Sequence, residues 1–160
     1  MAGDVRAYKA LTPWKSLRDA NVVKQGFDYS CGSGALATLM NLSFGDEVSE
    51  QEIIQEILKD KTAAEQADIK ANGYSLLDLK RAAEAKGYQA FVYNLEIEHL
   101  FQLQGPVLIH FEPRGEKHFA VLKYVRGDRA YLADPARGNV RISIYRFAQQ
   151  WPGYILAIDK

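Results

Sequence analysis

The spacing of apolar residues changes once along the chain. Ala35, Leu36, Leu39, Met40 and Leu42 recur at helical spacing, predicting a helix that opens near Cys31 and stops at Gly45. Ser49-Glu50-Gln51-Glu52 is a capping box, with Ile53, Ile54, Ile57 and Leu58 behind it as a second helical stripe. Residues 60–72 are polar and alanine-rich, and read as a frayed helix end or a mobile loop. Ser75 with Asp78 predicts another helix start, Leu76, Leu77, Leu79 and Ala83 supply its buried face, and Gly87 ends it. The arm before these helices, residues 5–24, is mixed; Pro13 punctuates it, and Trp14 and Leu17 are candidates to pin it to the body.

After Gly87 the pattern turns to strands. Tyr88–Tyr93 is the first, followed by a short helix around Glu96–Leu103. Pro106-Val107-Leu108-Ile109-His110-Phe111 is almost continuously apolar and predicts a buried strand. His118–Arg126 and Arg129–Asp134 flank Gly127-Asp128, a hairpin signal. Val140–Tyr145 alternates, and Tyr154–Ile158 is the last strand. Helices first and an antiparallel sheet afterwards is an α+β pattern. No repeat, low-complexity stretch or linker divides the chain, so residues 1–160 are expected to form a single domain with residues 1–21 as an N-terminal arm.

Composition narrows the function. Lys+Arg and Asp+Glu are both 20, which argues against a nucleic-acid or polybasic membrane binder. One cysteine allows no internal disulfide, and with three scattered histidines it forms no metal-ligand cluster; no metal and no organic cofactor is expected. No apolar run approaches the roughly 20 residues of a membrane span, and no phosphate-binding GxxxxGK[ST] loop is present. Met1-Ala2-Gly3-Asp4 lacks the features of a signal peptide. The expected compartment is the cytoplasm for a chain complete as written, and the periplasm or exterior for one whose signal has been trimmed.

Cys31 is the first candidate for chemistry. A lone cysteine is commonly a small buried hydrophobe. Here it precedes Gly32-Ser33-Gly34, which suggests an uncrowded backbone, and it stands where the helix opens. A thiol there lies near unpaired N–H groups, which favour the nucleophilic thiolate. Of the histidines, His99 lies in a polar helix and His110 inside an apolar strand. His118 opens a strand beside a polar loop and is the favoured partner. Asp134 ends the neighbouring strand, where it can orient an imidazole, although an Asp before Pro is also an ordinary turn starter. Gln25 could supply an oxyanion donor beside the Cys31 N–H, or be a polar loop residue.

Together these segments carry a resemblance. Gln25-Gly26-Phe27-Asp28-Tyr29-Ser30-Cys31-Gly32, then His118-Phe119-Ala120-Val121-Leu122, then Asp134-Pro135-Ala136-Arg137-Gly138 resemble the bacteriocin-processing peptidases, papain-like cysteine peptidases also called double-glycine peptidases. Gly73-Tyr74-Ser75-Leu76-Leu77-Asp78-Leu79-Lys80 is similar to a further helical region of that family, and the resemblance covers roughly Val22 to Ile158.

The resemblance implies a papain-like fold, N-terminal helices packed on a C-terminal antiparallel sheet. It implies Cys31 as nucleophile, His118 as general base and acid, Asp134 as orienting residue and Gln25 as oxyanion donor. It also implies cleavage after a Gly-Gly pair in an exported polypeptide or leader, with that polypeptide and a secretion-system component as partners. Two residues without side chains can thread a channel that excludes bulkier ones. Leaders of this family dock as amphipathic helices, which requires an apolar groove. Ser30 stands where transporter-fused members often carry an acid, and the Asp28-Tyr29-Ser30-Cys31-Gly32 form resembles free-standing bacterial proteins, some associated with functional-amyloid secretion. Two alternatives keep these residues: a non-catalytic docking module, and an acyl transferase passing a thioester to an amine.

Overall fold

The structure, a computed structural model, describes residues 14–160. The expectations for residues 1–13, Pro13 included, lie outside the described residues. Among the described residues there are six α-helices: α1 (Trp14–Asp19), α2 (Cys31–Phe44), α3 (Glu50–Leu58), α4 (Ala63–Asn72), α5 (Leu76–Ala85) and α6 (Ile144–Gln150). Six strands, β1 (Gln89–Asn94), β2 (Val107–Phe111), β3 (His118–Arg126), β4 (Arg129–Asp134), β5 (Gly138–Ser143) and β6 (Tyr154–Asp159), form one antiparallel sheet in the order β1-β6-β2-β3-β4-β5.

Strand alternation explains why β2 reads as continuously apolar. Leu108, Phe119, Val121, Ala133 and Leu156 face a core built with α2, α3 and α5. Val107, Ile109, Phe111, Ala120, Leu122, Leu132 and Ile155 face a second core with Phe147 and Trp151 from α6 and its end. A strand covered on both faces has no solvent side to mark with polar residues.

The expected capping boxes are present. Ser49 Oγ accepts from Glu52 N at 3.2 Å and Ser75 Oγ accepts from Asp78 N at 3.0 Å. Three expectations are corrected. Residues 63–72 are the regular helix α4, with a capping box of its own between Thr62 and Glu65. Only Ile69 on it is buried, so it has no apolar stripe to read. The alternation over Val140–Tyr145 ends in β5, and Ser143 caps α6 by accepting from Arg146 N at 3.1 Å. Trp14 and Leu17 do not pin the arm; they are 73% and 57% exposed. The arm is held by its backbone, with Asn139 Nδ2 donating to Ala20 O at 2.8 Å and to Leu17 O at 3.3 Å.

Candidate active site

Cys31 is the first residue of α2, whose residues Cys31 to Met40 are all buried. The helix fits there because two of its positions lack side chains. A Cβ on Gly32 would meet Tyr74 Cδ2 at 2.9 Å and Leu79 Cδ1 at 3.1 Å; one on Gly34 would meet Pro135 Cβ at 2.9 Å and Val23 O at 3.0 Å. The glycines after the thiol are therefore not open backbone, as the sequence suggested. They are close-packing sites that set the helix between the Tyr74 segment and the Asp134-Pro135 turn. Between them Ser33 Oγ donates to Tyr74 Oη at 2.8 Å. Burial pushes the Tyr74 hydroxyl up to about 12, so it stays protonated as that acceptor.

His118 opens β3 and Asp134 closes β4. Val121 pairs with Ala133, so the ladder brings Asp134 opposite Ala120, one diagonal step from His118 on the same face. His118 Nε2 lies 2.8 Å from Asp134 Oδ1. That oxygen also accepts the Ala136 N–H at 2.8 Å and the Arg137 N–H at 3.3 Å, while Oδ2 accepts Arg137 Nε–H at 2.9 Å. The carboxylate is 0% exposed. Burial alone would raise its pKa; the bond to His118 and then the neighbouring donors outweigh that and hold it at about 2. An ionised acceptor already ringed by donors requires Nε2 to carry a hydrogen. Nδ1 is then the ring nitrogen left to serve another group. Burial would likewise depress His118, but the Asp134 bond and then the Cys31 thiol raise it to about 9.

Cys31, His118 and Gln25 line one cleft of about 450 Å³, with Arg114, Lys117 and Arg137 on its walls. Cys31 is 9% exposed and also reaches a smaller pocket of about 170 Å³ beside Tyr29, Gly73, Tyr74 and Phe119. The thiol therefore sits on a floor between two depressions. Gln25 is fixed by its backbone N–H donating to Pro135 O at 3.0 Å and by Nε2 donating to Phe27 O at 2.9 Å. One Nε2 hydrogen remains, and the buried Oε1 has no partner among the described residues. All four residues singled out in the sequence thus lie at one locus. His99 and His110 do not join them: His99 is exposed, its Nδ1 accepting from Glu96 N at 3.0 Å, and His110 packs on Phe119 at 5.2 Å between ring centroids.

Three contributors escaped the sequence reading. Arg137 holds the second Asp134 oxygen; its place three residues after Asp134 in the turn was the available signal. Tyr74 fills the space above Gly32, and Pro135 that above Gly34. Only packing reveals these two. Among the described residues no group of His, Cys, Asp and Glu is arranged to hold a metal.

Residues 19–160 match the Peptidase C39 family. The chain belongs to that family. This C39 peptidase is 36% identical over 158 residues to the protein named "Probable functional amyloid protease FapD" of Pseudomonas aeruginosa, a match covering 99% of the chain and 69% of that protein. Its structure is similar to that of a double glycine motif protease from an AMS/PCAT transporter, solved in complex with a leader peptide. That match has a TM-score of 0.63 and 27% identity, covering 86% of this chain and 89% of the other. The peptidase domain of Streptococcus ComA shares the fold, with a TM-score of 0.71 and 21% identity over 86% of this chain and 96% of that domain. The C39 peptidase is a cysteine peptidase with a papain-like α+β fold. No helix among the described residues is long and apolar enough to cross a membrane.

Proposed function

We propose that the protein is an endopeptidase in which Cys31 attacks a backbone carbonyl, with His118, Asp134 and Gln25 in support. The observation that carries this is the 2.8 Å contact of His118 Nε2 with a buried, ionised Asp134, which leaves Nδ1 of the ring for the thiol in a shared cleft. Cys31 gives its thiol proton to His118 Nδ1, and its sulfur bonds to the scissile carbon. Negative charge moves to the carbonyl oxygen, which takes the Cys31 N–H and the remaining Gln25 Nε2 hydrogen. His118 gives a proton to the departing amine as the C–N bond breaks, leaving a thioester. It then takes a proton from water, whose oxygen displaces the sulfur and releases the acid. Asp134 fixes the ring orientation and offsets the imidazolium charge.

The site favours a substrate with little bulk beside the scissile bond. The pocket of about 170 Å³ against Tyr29 and Tyr74 admits residues without side chains more readily than large ones. Gly-Gly sequences in an exported polypeptide or leader satisfy that condition, and the double-glycine protease similar to this chain was solved with a leader peptide. A role in processing functional amyloid, as the name of its FapD relative has it, follows from the same reading.

The test is mass spectrometry of peptides with and without a Gly-Gly pair, incubated with wild type and Cys31→Ala. Wild type is expected to cut after Gly-Gly, and a folded Cys31→Ala to cut nothing. Cleavage by the folded variant would overturn the assignment. Products joined to an added amine would convert it to acyl transfer.

A further inference from the structure

The charge around Cys31 is uneven although the chain as a whole is neutral, with 20 Lys+Arg and 20 Asp+Glu. Arg114, Lys117 and Arg137 wall the larger cleft, with Glu116 as the only exposed carboxylate among its lining residues. The smaller pocket on the other flank has Lys70 and Lys117 and no acid. Asp134 lies behind His118, its oxygens occupied by the imidazole, two backbone N–H groups and Arg137. Glu50, at the start of nearby α3, turns its carboxylate onto the Gly26 N–H at 2.9 Å. Arg114 and Lys117 are exposed and form no ion pair with a described residue.

The backbone at Arg114 gives an independent sign. It holds φ 58 and ψ 26, left-handed values that glycine adopts at no steric cost and that other side chains rarely adopt. The next position, Gly115, holds φ 77. The residue in this conformation carries a guanidinium and lines the cleft.

We propose that this cationic collar selects substrate segments carrying Asp or Glu within a few residues of the scissile bond. The inference rests on Cys31 being the reacting centre and names the substrate class it meets. Guanidinium groups bind carboxylates through paired N–H donors, and a cleft lined by one sign of charge raises the local concentration of its counter-charge. A lysine-rich segment meets like charge on both flanks and is turned away.

Two alkylating agents of similar size read the potential without any substrate. Iodoacetate is an anion and iodoacetamide is neutral, so the ratio of their rates at Cys31 reports local charge and divides out changes in thiol nucleophilicity. The ratio is expected to fall about tenfold in Arg114→Glu/Lys117→Glu. It is also expected to fall in wild type at about 1 M salt, where the screening length shrinks to about 3 Å. Lys59→Glu/Lys86→Glu is the control. Those residues follow the last turns of α3 and α5 and line neither the cleft nor the smaller pocket. A change below about twofold in the cleft variant, or an equal change in the control, overturns the proposal.

The second arm uses end-blocked Glu-Glu-Gly-Gly-Glu-Glu and Lys-Lys-Gly-Gly-Lys-Lys as protectors of Cys31 against iodoacetamide. Protection by the acidic peptide alone is expected; equal protection, or none by either, overturns it. The absolute iodoacetamide rate is a separate reading. A thiol no faster than free cysteine counts against the peptidase chemistry, whatever the ratio shows.

Discussion

Asp134 and His118 carry opposite charges against the pull of burial on each. His118 titrates at about 9, above its ordinary 6.5, so the stability it contributes is whole below 6.5 and lost as pH rises through about 9. Asp134 titrates at about 2, below its ordinary 3.8, so its contribution is present above 3.8 and lost as pH falls through about 2. These are two edges of one ion pair and count once. Cleavage is expected to decline as pH rises through about 9, because His118 then has no proton for the leaving amine. Asp134→Asn removes the negative charge and sets an amide against the Arg137 donor. Its alkaline limb is expected about 1–3 pH units lower in a pH–rate profile. A limb that stays put would separate His118 from the reaction. Asp134→Ala is expected to cost about 2–3 kcal/mol in denaturant unfolding, somewhat below the usual loss for a fully buried pair because the His118 ring keeps some solvent access.

Elements differ in how plainly the sequence announces them. Helices α2, α3 and α5 are legible because apolar residues recur in each at helical spacing, and α3 and α5 add capping boxes. Helix α4 is not, since Ile69 alone is buried and its stability comes from its cap and its neighbours. Helix α6 is hidden because Val140 and Ile142 alternate into Ile144 without a break. The site shows the same division. Cys31, His118 and Asp134 are candidates by residue type and position, and Gln25 joins them through the family resemblance, whereas Gly34 and Pro135 look like ordinary small and turn residues until their surfaces meet. Gly34→Ala forces a methyl to 2.9 Å from Pro135 Cβ and 3.0 Å from Val23 O. That overpacking is expected to cost about 1–3 kcal/mol. It should lower the melting temperature by several degrees in calorimetry and slow Cys31 alkylation, because the turn it displaces carries Asp134. An unchanged melting temperature would show that the turn yields without strain.

At the scale of the molecule, the order of strands in the sheet differs from their order in the chain. β6, the last in sequence, lies between β1 and β2. Among the described residues β1 pairs with no other strand, and β2 has its second neighbour only in β6. Deleting residues 154–160 is therefore expected to detach β1 and leave β2 as an open edge. The Cys31 alkylation rate of the shortened chain should fall to that of an unfolded thiol. A truncated chain with a fast, His118-dependent thiol would show that β2, β3 and β4 assemble the site unaided.

The inward placement of β6 also sets a clock. A chain still being made has Cys31 in hand early but lacks β6, the strand that joins β1 to β2. On the proposed chemistry, Cys31 is expected to become reactive only once β6 is seated between β1 and β2.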